Sequence, residues 1–390
     1  MRHPPWLVRR FPAALAATLL MVGVFTGTGP AGASALAGEG WTSVPPPSPG
    51  TADNQLSDVT VLSPGDAWAV GSGASSQGGQ TLIEHWNGST WALVASPDPA
   101  NGGNFLTAVA AVSVTSIWAI GEDFPGGLEK TLILHWNGTS WKQVASPSPG
   151  STTNELGGIS AVSAKDVWVV GDYSNDGTHD RALILHWNGT QWARVPSPSP
   201  GGSDDLRAVA ATSGASAWAV GAFGSSRFTP NSPLILHWNG TSWQQMAAPG
   251  PAGNSSDLRA VSLTSPGNAW AAGDTSNRSG QQTLILHWNG ATWARVPSPD
   301  PGGPANPNFL TGVTATSAGN AWAVGAFSNG VENKAFILHW NGTRWAHVTS
   351  PSPGLGNYLS SVAASSSANA WAVGAFSIAG MNHAMALHCC

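Results

Sequence analysis

LTAVAAVSVTSIWAIG (residues 106–121), then a polar loop, then TLILHWNGTSWKQVASPSPG (residues 131–150), is one copy of a unit that the chain repeats seven times. The Trp of its W-A-V-G element recurs at Trp68, Trp118, Trp168, Trp218, Trp270, Trp322 and Trp371, a step of about 50 residues. Each copy holds four short apolar runs separated by turn signals, lettered a to d in chain order. Run a opens with L-x-x-V and continues in small residues, run b is A-W-A-V-G, run c is L-I-L-H-W, and run d starts at a second Trp and ends in S-P-S-P-G. Between c and d stands Asn-Gly, as at Asn137 and Gly138, which supplies the positive φ angles of a two-residue hairpin turn.

Four-stranded units at this period stack around an axis as propeller blades. The chain is therefore expected to be all-β: a seven-bladed β-propeller of four-stranded antiparallel blades, with the small residues of run a on the crowded strand nearest the axis. The last copy stops at Leu387-His388-Cys389-Cys390 and lacks its Asn-Gly turn and run d. Trp41-Thr42-Ser43-Val44, followed by Pro45 to Gly50, repeats the pattern of Trp192-Ala193-Arg194-Val195 and Pro196 to Gly201. The N-terminal strand 41–50 is thus expected to complete blade seven, closing the ring and leaving no sheet edge open to aggregation. Residues 38–390 then read as a single domain, although length alone would suggest two or three.

Residues 1–37 differ in kind. Arg2, Arg9 and Arg10 precede an apolar stretch from Ala13 to Phe25, and Ala35-Leu36-Ala37 offers a small-residue cleavage site, the layout of a secretory signal peptide. Its apolar core is shorter than the ~20 residues of a membrane span, so a secreted protein without a transmembrane segment is expected. Removing these residues leaves 12 basic against 20 acidic residues, a formal charge of -8. That balance argues against nucleic acid or an anionic membrane as partner. The only cysteines are the adjacent Cys389 and Cys390. They supply no disulfide framework, and free thiols or a disulfide-linked dimer of an otherwise monomeric protein are expected of them.

The four-strand repeat with its closing N-terminal strand resembles the secreted bacterial β-propellers. Its N-G-x-x-W hairpin is similar to the turn of Asp-box (sialidase-type) propellers and to kelch and tectonin repeats. The Asp-box pattern S-x-D-x-G-x-x-W is not met, because His-Trp-Asn-Gly-x-x-Trp lacks the Ser and Asp. The copper chemistry that the kelch likeness implies would need a Tyr and Cys pair. Only Tyr173 and Tyr358 are available and both Cys are terminal, so no catalytic residue is carried over.

No G-x-S-x-G elbow, H-E-x-x-H, G-K-[ST] loop or C-x-x-C occurs. The repeated His (His85, His135, His186, His237, His287, His339, His388) appears once per copy and reads as a structural hydrogen-bonding group. The N-G-[ST] triplets match the glycosylation sequon, but hairpin chemistry explains them: Asn289-Gly290-Ala291 keeps the turn and loses the acceptor. Function is then expected where the copies differ. In an a-b-c-d meander the short a-b and c-d turns share one end, and the long, variable b-c and d-a loops share the other. That second end carries residues 122–130, 172–181, 222–232, 274–282 and 326–334 and reads as the binding face.

Three constellations on it are candidate sites. Arg207 and Arg259 directly follow the opening Leu of run a in neighbouring copies, where the others carry Ser57, Thr107, Gly157, Thr311 and Ser360. Such a pair would clamp a carboxylate or phosphate, unless Asp204, Asp205 and Asp257 just upstream hold it in salt bridges. Tyr173, Phe223, Phe327 and Phe376 follow W-A-V-G by two residues and are either a sugar-stacking rim or inter-blade packing. Asp172, Ser174, Asp176 and Asp180 follow the spacing of a Ca2+ loop, without the Glu of an EF-hand since position twelve is Leu183. The expected function is a secreted non-enzymatic binding module for an extracellular or cell-envelope polysaccharide or protein. The alternative is a sialidase-like glycoside hydrolase or a polysaccharide lyase acting in the central funnel.

Overall fold

The computed structural model describes residues 40–49, 53–75, 78–100, 103–226, 231–251 and 253–390. The signal-peptide reading of residues 1–37 lies outside them. Residues Ala35–Cys390 form one compact unit. Among the described residues the structure is strand and turn, apart from a single 3-10 turn at Pro125–Gly127. Among the described residues no helix is long and apolar enough to cross a membrane.

Five sheets have four antiparallel strands in the order a-b-c-d, and a sixth has eight strands. The larger sheet holds repeats six and seven, joined by one parallel bridge, Asn333 to Gly356. The a strands are Asn54–Ser63, Asn104–Ser113, Thr153–Ser163, Ser203–Ser213, Ser255–Ser265, Asn308–Ser317 and Gly356–Ser366. Each packs against the a strand of the next repeat, and the last returns to the first, so the a strands form a closed ring. They approach closely: a Cβ on Gly158 would lie 2.7 Å from the Cα of Ala208 in the next repeat. Short side chains in run a follow from that crowding.

Every a strand carries a bulge at the same place. In repeat four Leu206 pairs with Gly221 and Ala208 with Val220, leaving Arg207 unpaired. Ser57, Thr107, Gly157, Arg259, Thr311 and Ser360 are left over in the same way. The bulge explains the Gly that closes W-A-V-G. A Cβ on Gly221 would stand 2.0 Å from the carbonyl oxygen of Asp205, which only glycine avoids.

The first and last described strands meet. Trp41–Ser43 pairs antiparallel with the last strand, Trp41 opposite Cys389 and Ser43 opposite Leu387. Trp41 also enters the apolar seam between repeats six and seven, edge-on to Trp322 at 5.3 Å. In the other seams a strand-b Trp meets two Trp of the following repeat, as Trp168 meets Trp238 at 5.1 Å and Trp243 at 5.4 Å. Burying such large rings at each sheet-to-sheet contact gives the ring its cohesion.

Cys389 and Cys390 are bonded to each other, and Cys389 is buried against the N-terminal strand. This replaces the expected free thiols or intermolecular bridge: the partner thiol is the adjacent residue, and no free cysteine is left to link a second chain.

The repeated His serves its own sheet. His186 lies tilted by 30° against Trp168 with centroids 4.2 Å apart and makes a 2.8 Å hydrogen bond to Asp166. His287, His339 and His388 make the equivalent bond to Asn268, Asn320 and Asn369.

One core position breaks the pattern. Strand c carries Leu134, Leu185, Leu236, Leu286, Leu338 and Leu387 at sites where repeat one has Glu84. Glu84 is fully buried, and neither carboxyl oxygen has a hydrogen-bond partner. Alternation along the strand puts it on the face of Leu82, in the seam with Trp371 and Val373 of repeat seven. Burial pushes its pKa up to about 8.

Candidate functional site

The b-c hairpins and d-a links lie at one end of the sheets, here called the loop end. The residue before the opening Leu of strand a faces across to strand b at that end, and here the repeats diverge. The pairs are Gln55 with Ser72, Phe105 with Glu122, Glu155 with Asp172, and Asp205 with Ala222. They continue as Asp257 with Asp274, Phe309 with Ala326, and Tyr358 with Ala375. Carboxylates therefore gather in repeats two to five, while repeats six and seven contribute aromatic and apolar groups.

Arg207 and Arg259 stand inside the acidic sector, projected by their bulges. Arg207 Nη2 donates to Asp205 Oδ2 at 2.8 Å, and its Nε lies 3.1 Å from Asp257 Oδ1 in the next repeat. Arg259 Nη2 stands 3.4 Å from the other Asp257 oxygen, and its Nε donates to Asp274 Oδ1 at 2.8 Å. Gln281 Nε2 donates to Asp274 Oδ2 at 2.7 Å. Acid and base thus alternate across two repeats: Asp205, Arg207, Asp257, Arg259, Asp274.

Burial would lower the Arg207 pKa, but Asp205, Asp257, Glu155 and Asp274 outweigh it and the net shift is upward. Arg259 follows the same balance, burial against Asp274 and Asp257. Burial raises the pKa of Asp205, with Arg207 opposing. Arg207 and Arg259 thus make the salt bridges that were the alternative to a clamp. Nε and Nη2 of the two guanidinium groups together face three carboxylates, and with Glu155 and Asp172 beside them the carboxylates outnumber the two cations, which disfavours an incoming carboxylate or phosphate.

The four aromatic positions show packing contacts to differing degrees. Tyr173 is buried in the seam toward repeat two, with Arg194 over its ring at 4.7 Å and donating to its hydroxyl at 2.8 Å. Phe223 and Phe376 pack against the apolar clusters of their seams, and Phe327 sits edge-on to Phe336. The strand-b alternation that buries Val169 also turns Tyr173 inward, while Phe223, Phe327 and Phe376 are half-buried.

In the segment of Asp172, Ser174, Asp176 and Asp180, the Ser174 and Asp176 oxygens bond within the turn and Asp180 bonds to Ser203. Asp176 Oδ1 accepts the backbone N–H groups of Thr178 and His179, both at 2.8 Å, and its other oxygen shares a proton with His179 Nδ1 at 2.9 Å. These bonds, the Thr178 N–H first, hold the Asp176 carboxyl well below the usual range. Ser174 Oγ donates to the His179 carbonyl at 2.8 Å, and Asp180 Oδ2 accepts from Ser203 Oγ at 3.0 Å. The segment is a self-satisfied turn, and among the described residues no three His, Cys, Asp or Glu side chains are placed to hold a metal.

A further carboxylate, Asp58, follows the repeat-one bulge. Its Oδ1 accepts from Val59 N at 2.9 Å and from the Ser361 hydroxyl of repeat seven, and its Oδ2 accepts from Val109 N of repeat two at 2.8 Å. One side chain thereby ties three repeats together beside the chain closure. Burial raises its pKa to about 6 against those bonds. Its sequence signal was a lone Asp where the other repeats have Ala, Gly or Ser.

No family model and no curated protein sequence matches the chain. Solved structures do. YCF48 from Cyanidioschyzon merolae superposes with a TM-score of 0.54 at 15% identity, covering 89% of this chain and 98% of that one. A polysaccharide lyase, an ulvan lyase bound to -[GlcA(1-4)Rha3S]-, gives 0.55 at 10% identity over 85% and 94%. Both are β-propellers. The fold is a β-propeller. YCF48 bound to D1 peptide gives 0.53 at 13% identity over 89% of this chain and 96% of that one. At these identities the likeness concerns the propeller alone.

Proposed function

We propose that this propeller is a secreted, non-enzymatic binding module whose loop end takes up an extracellular or cell-envelope glycan or protein. Reading the eight-stranded sheet as two blades, one completed by Trp41–Ser43, makes it seven-bladed, in keeping with the closed ring of a strands. The observation that carries the reading is the Asp205–Arg207–Asp257–Arg259–Asp274 network, confined to neighbouring repeats of an otherwise repetitive scaffold. Propellers of similar shape are found bound to a peptide and to a saccharide. The test is to probe glycan and peptide arrays with the chain and with Glu155→Lys. Selective binding that the variant loses supports the loop end; two blank arrays, or binding indifferent to the substitution, contradict it.

A polysaccharide lyase or glycoside hydrolase at the same end is the second reading. It is favoured by Asp205 and Asp257, which share the Arg207 guanidinium and so stand within the ~5 to 10 Å that paired catalytic carboxylates span. Release of new reducing ends from a polysaccharide, abolished in Asp205→Asn, would establish it.

A further inference from the structure

Four of the large apolar side chains exposed among the described residues crowd the loop end of repeats six and seven. Val331 is 92% exposed, Leu355 75%, Ile378 49% and Met381 44%. Val331 tips the b-c hairpin of repeat six, closed by the Asn329 N–H to Glu332 carbonyl bond. Ile378 and Met381 pair across the tip of the same hairpin in repeat seven. Leu355 lies between them: Asn333 N–H donates to its carbonyl at 3.3 Å, and its own N–H donates to the Ser377 carbonyl at 3.2 Å. Backbone bonds thus bring the segments carrying these four side chains together at the loop end of repeats six and seven, and apolar exposure gathered in this way marks an interaction surface.

The patch neighbours the acidic sector on the same end of the ring. In repeats three to five Glu155, Asp172, Asp205, Asp257 and Asp274 gather at the paired strand ends, where Arg207 and Arg259 form salt bridges to Asp205, Asp257 and Asp274. The chemistry of the two halves selects an occupant. Aliphatic Val, Leu, Ile and Met offer no flat ring for a sugar, and Met adapts readily to varied apolar side chains. A net acidic sector repels the uronates, sulfates and phosphates of charged glycans and favours a cation. Among extracellular polymers, apolar groups beside cations are the property of polypeptides containing Lys or Arg.

We propose that the loop end binds an extended polypeptide segment that lays apolar side chains on Val331, Leu355, Ile378 and Met381 and sets an adjacent Lys or Arg against the carboxylates of repeats three to five. This rests on the reading of the loop end as the binding face and narrows its ligand.

The experiment titrates the full chain with a fluorescein-labelled Lys/Leu peptide, the same peptide with Ser for Leu, and the same with Glu for Lys, followed by anisotropy. A glycan array is run on the same preparation. The Lys/Leu peptide is expected to bind at least tenfold more tightly than either control, with affinity falling as salt rises. Val331→Ser with Leu355→Ser, and separately Glu155→Gln, should each weaken it about tenfold at an unchanged melting temperature. Equal binding of the Glu/Leu peptide, or indifference to the Val331 and Leu355 substitutions, overturns the proposal. A glycan that binds and is lost in Glu155→Gln, with no peptide bound, leaves the binding face standing and removes the polypeptide. Silence from both sets of probes removes both.

Discussion

The two ends of the ring are built by opposite rules. At the turn end, Asn Oδ1 accepts two backbone N–H groups in every complete repeat, as Asn137 does from Thr139 and Ser140 at 3.0 Å. The strand-c Trp then ties this turn to the a-b turn, as when Trp136 Nε1 donates to the Val114 carbonyl at 3.2 Å. Trp86, Trp187, Trp238, Trp288 and Trp340 do the same. At the loop end the recurrence is partial: Asn104, Asn154, Asp204, Asn308 and Asn357 at the head of strand a each accept a backbone N–H of the preceding link, while the charge, aromatic and exposed apolar groups are each confined to a sector. Identical residues at equivalent positions serve the scaffold, whereas residues that break the symmetry are free to serve something else.

That contrast is sharpest where scaffold is removed. Deleting residues 38–50 takes away the strand paired with Leu387–Cys389 and the Trp41 ring in the last seam. Loss of one buried Trp costs about 3 to 5 kcal/mol, and the exposed strand edge adds to it. The largest drop in melting temperature is expected here; unchanged melting would show that the ring does not depend on this closure.

Glu84 breaks the scaffold rule from within. Its folded pKa of about 8 lies above the ordinary value of 4.5. Stability is therefore full below pH 4.5 and is lost as pH rises through 8, by on the order of 3 to 5 kcal/mol if the site stays dry. Glu84→Leu restores the residue of the other repeats and should melt higher, with its lead over wild type growing from pH 5 to pH 8. A lead independent of pH would mean that Glu84 is already hydrated or paired. Asn137→Ala at the turn end should cost about 1 kcal/mol and leave ligand affinity unchanged. A loss of binding there would erase the distinction between the two ends.

The scaffold was legible in the sequence because period, Asn-Gly turns and the displaced Trp41 strand are local patterns that the ring simply multiplies. The site was less so, since its contacts run between repeats. That Arg207 reaches Asp257 requires knowing that a bulge turns it toward the neighbouring a strand. Tyr173 looked like a rim residue by spacing, but the pleat counted from Gly171 sends it into the seam. The segment around Asp176 illustrates a degeneracy: oxygen-bearing side chains at alternate positions before Gly177 also satisfy a turn's own N–H groups. Vicinal Cys389 and Cys390 could be placed at the end of the chain but not paired without its backbone.

The smallest stability change belongs to the most informative substitution. Glu155→Gln removes one partly exposed charge and should alter folding by less than about 0.5 kcal/mol. Melting temperature and Lys/Leu peptide affinity, measured side by side for Asn137→Ala and Glu155→Gln, test the division of labour directly. The account predicts that Asn137→Ala loses stability and keeps affinity, while Glu155→Gln keeps stability and loses about tenfold in affinity. Both variants losing affinity alike, or neither losing it, would contradict a binding role confined to the loop end.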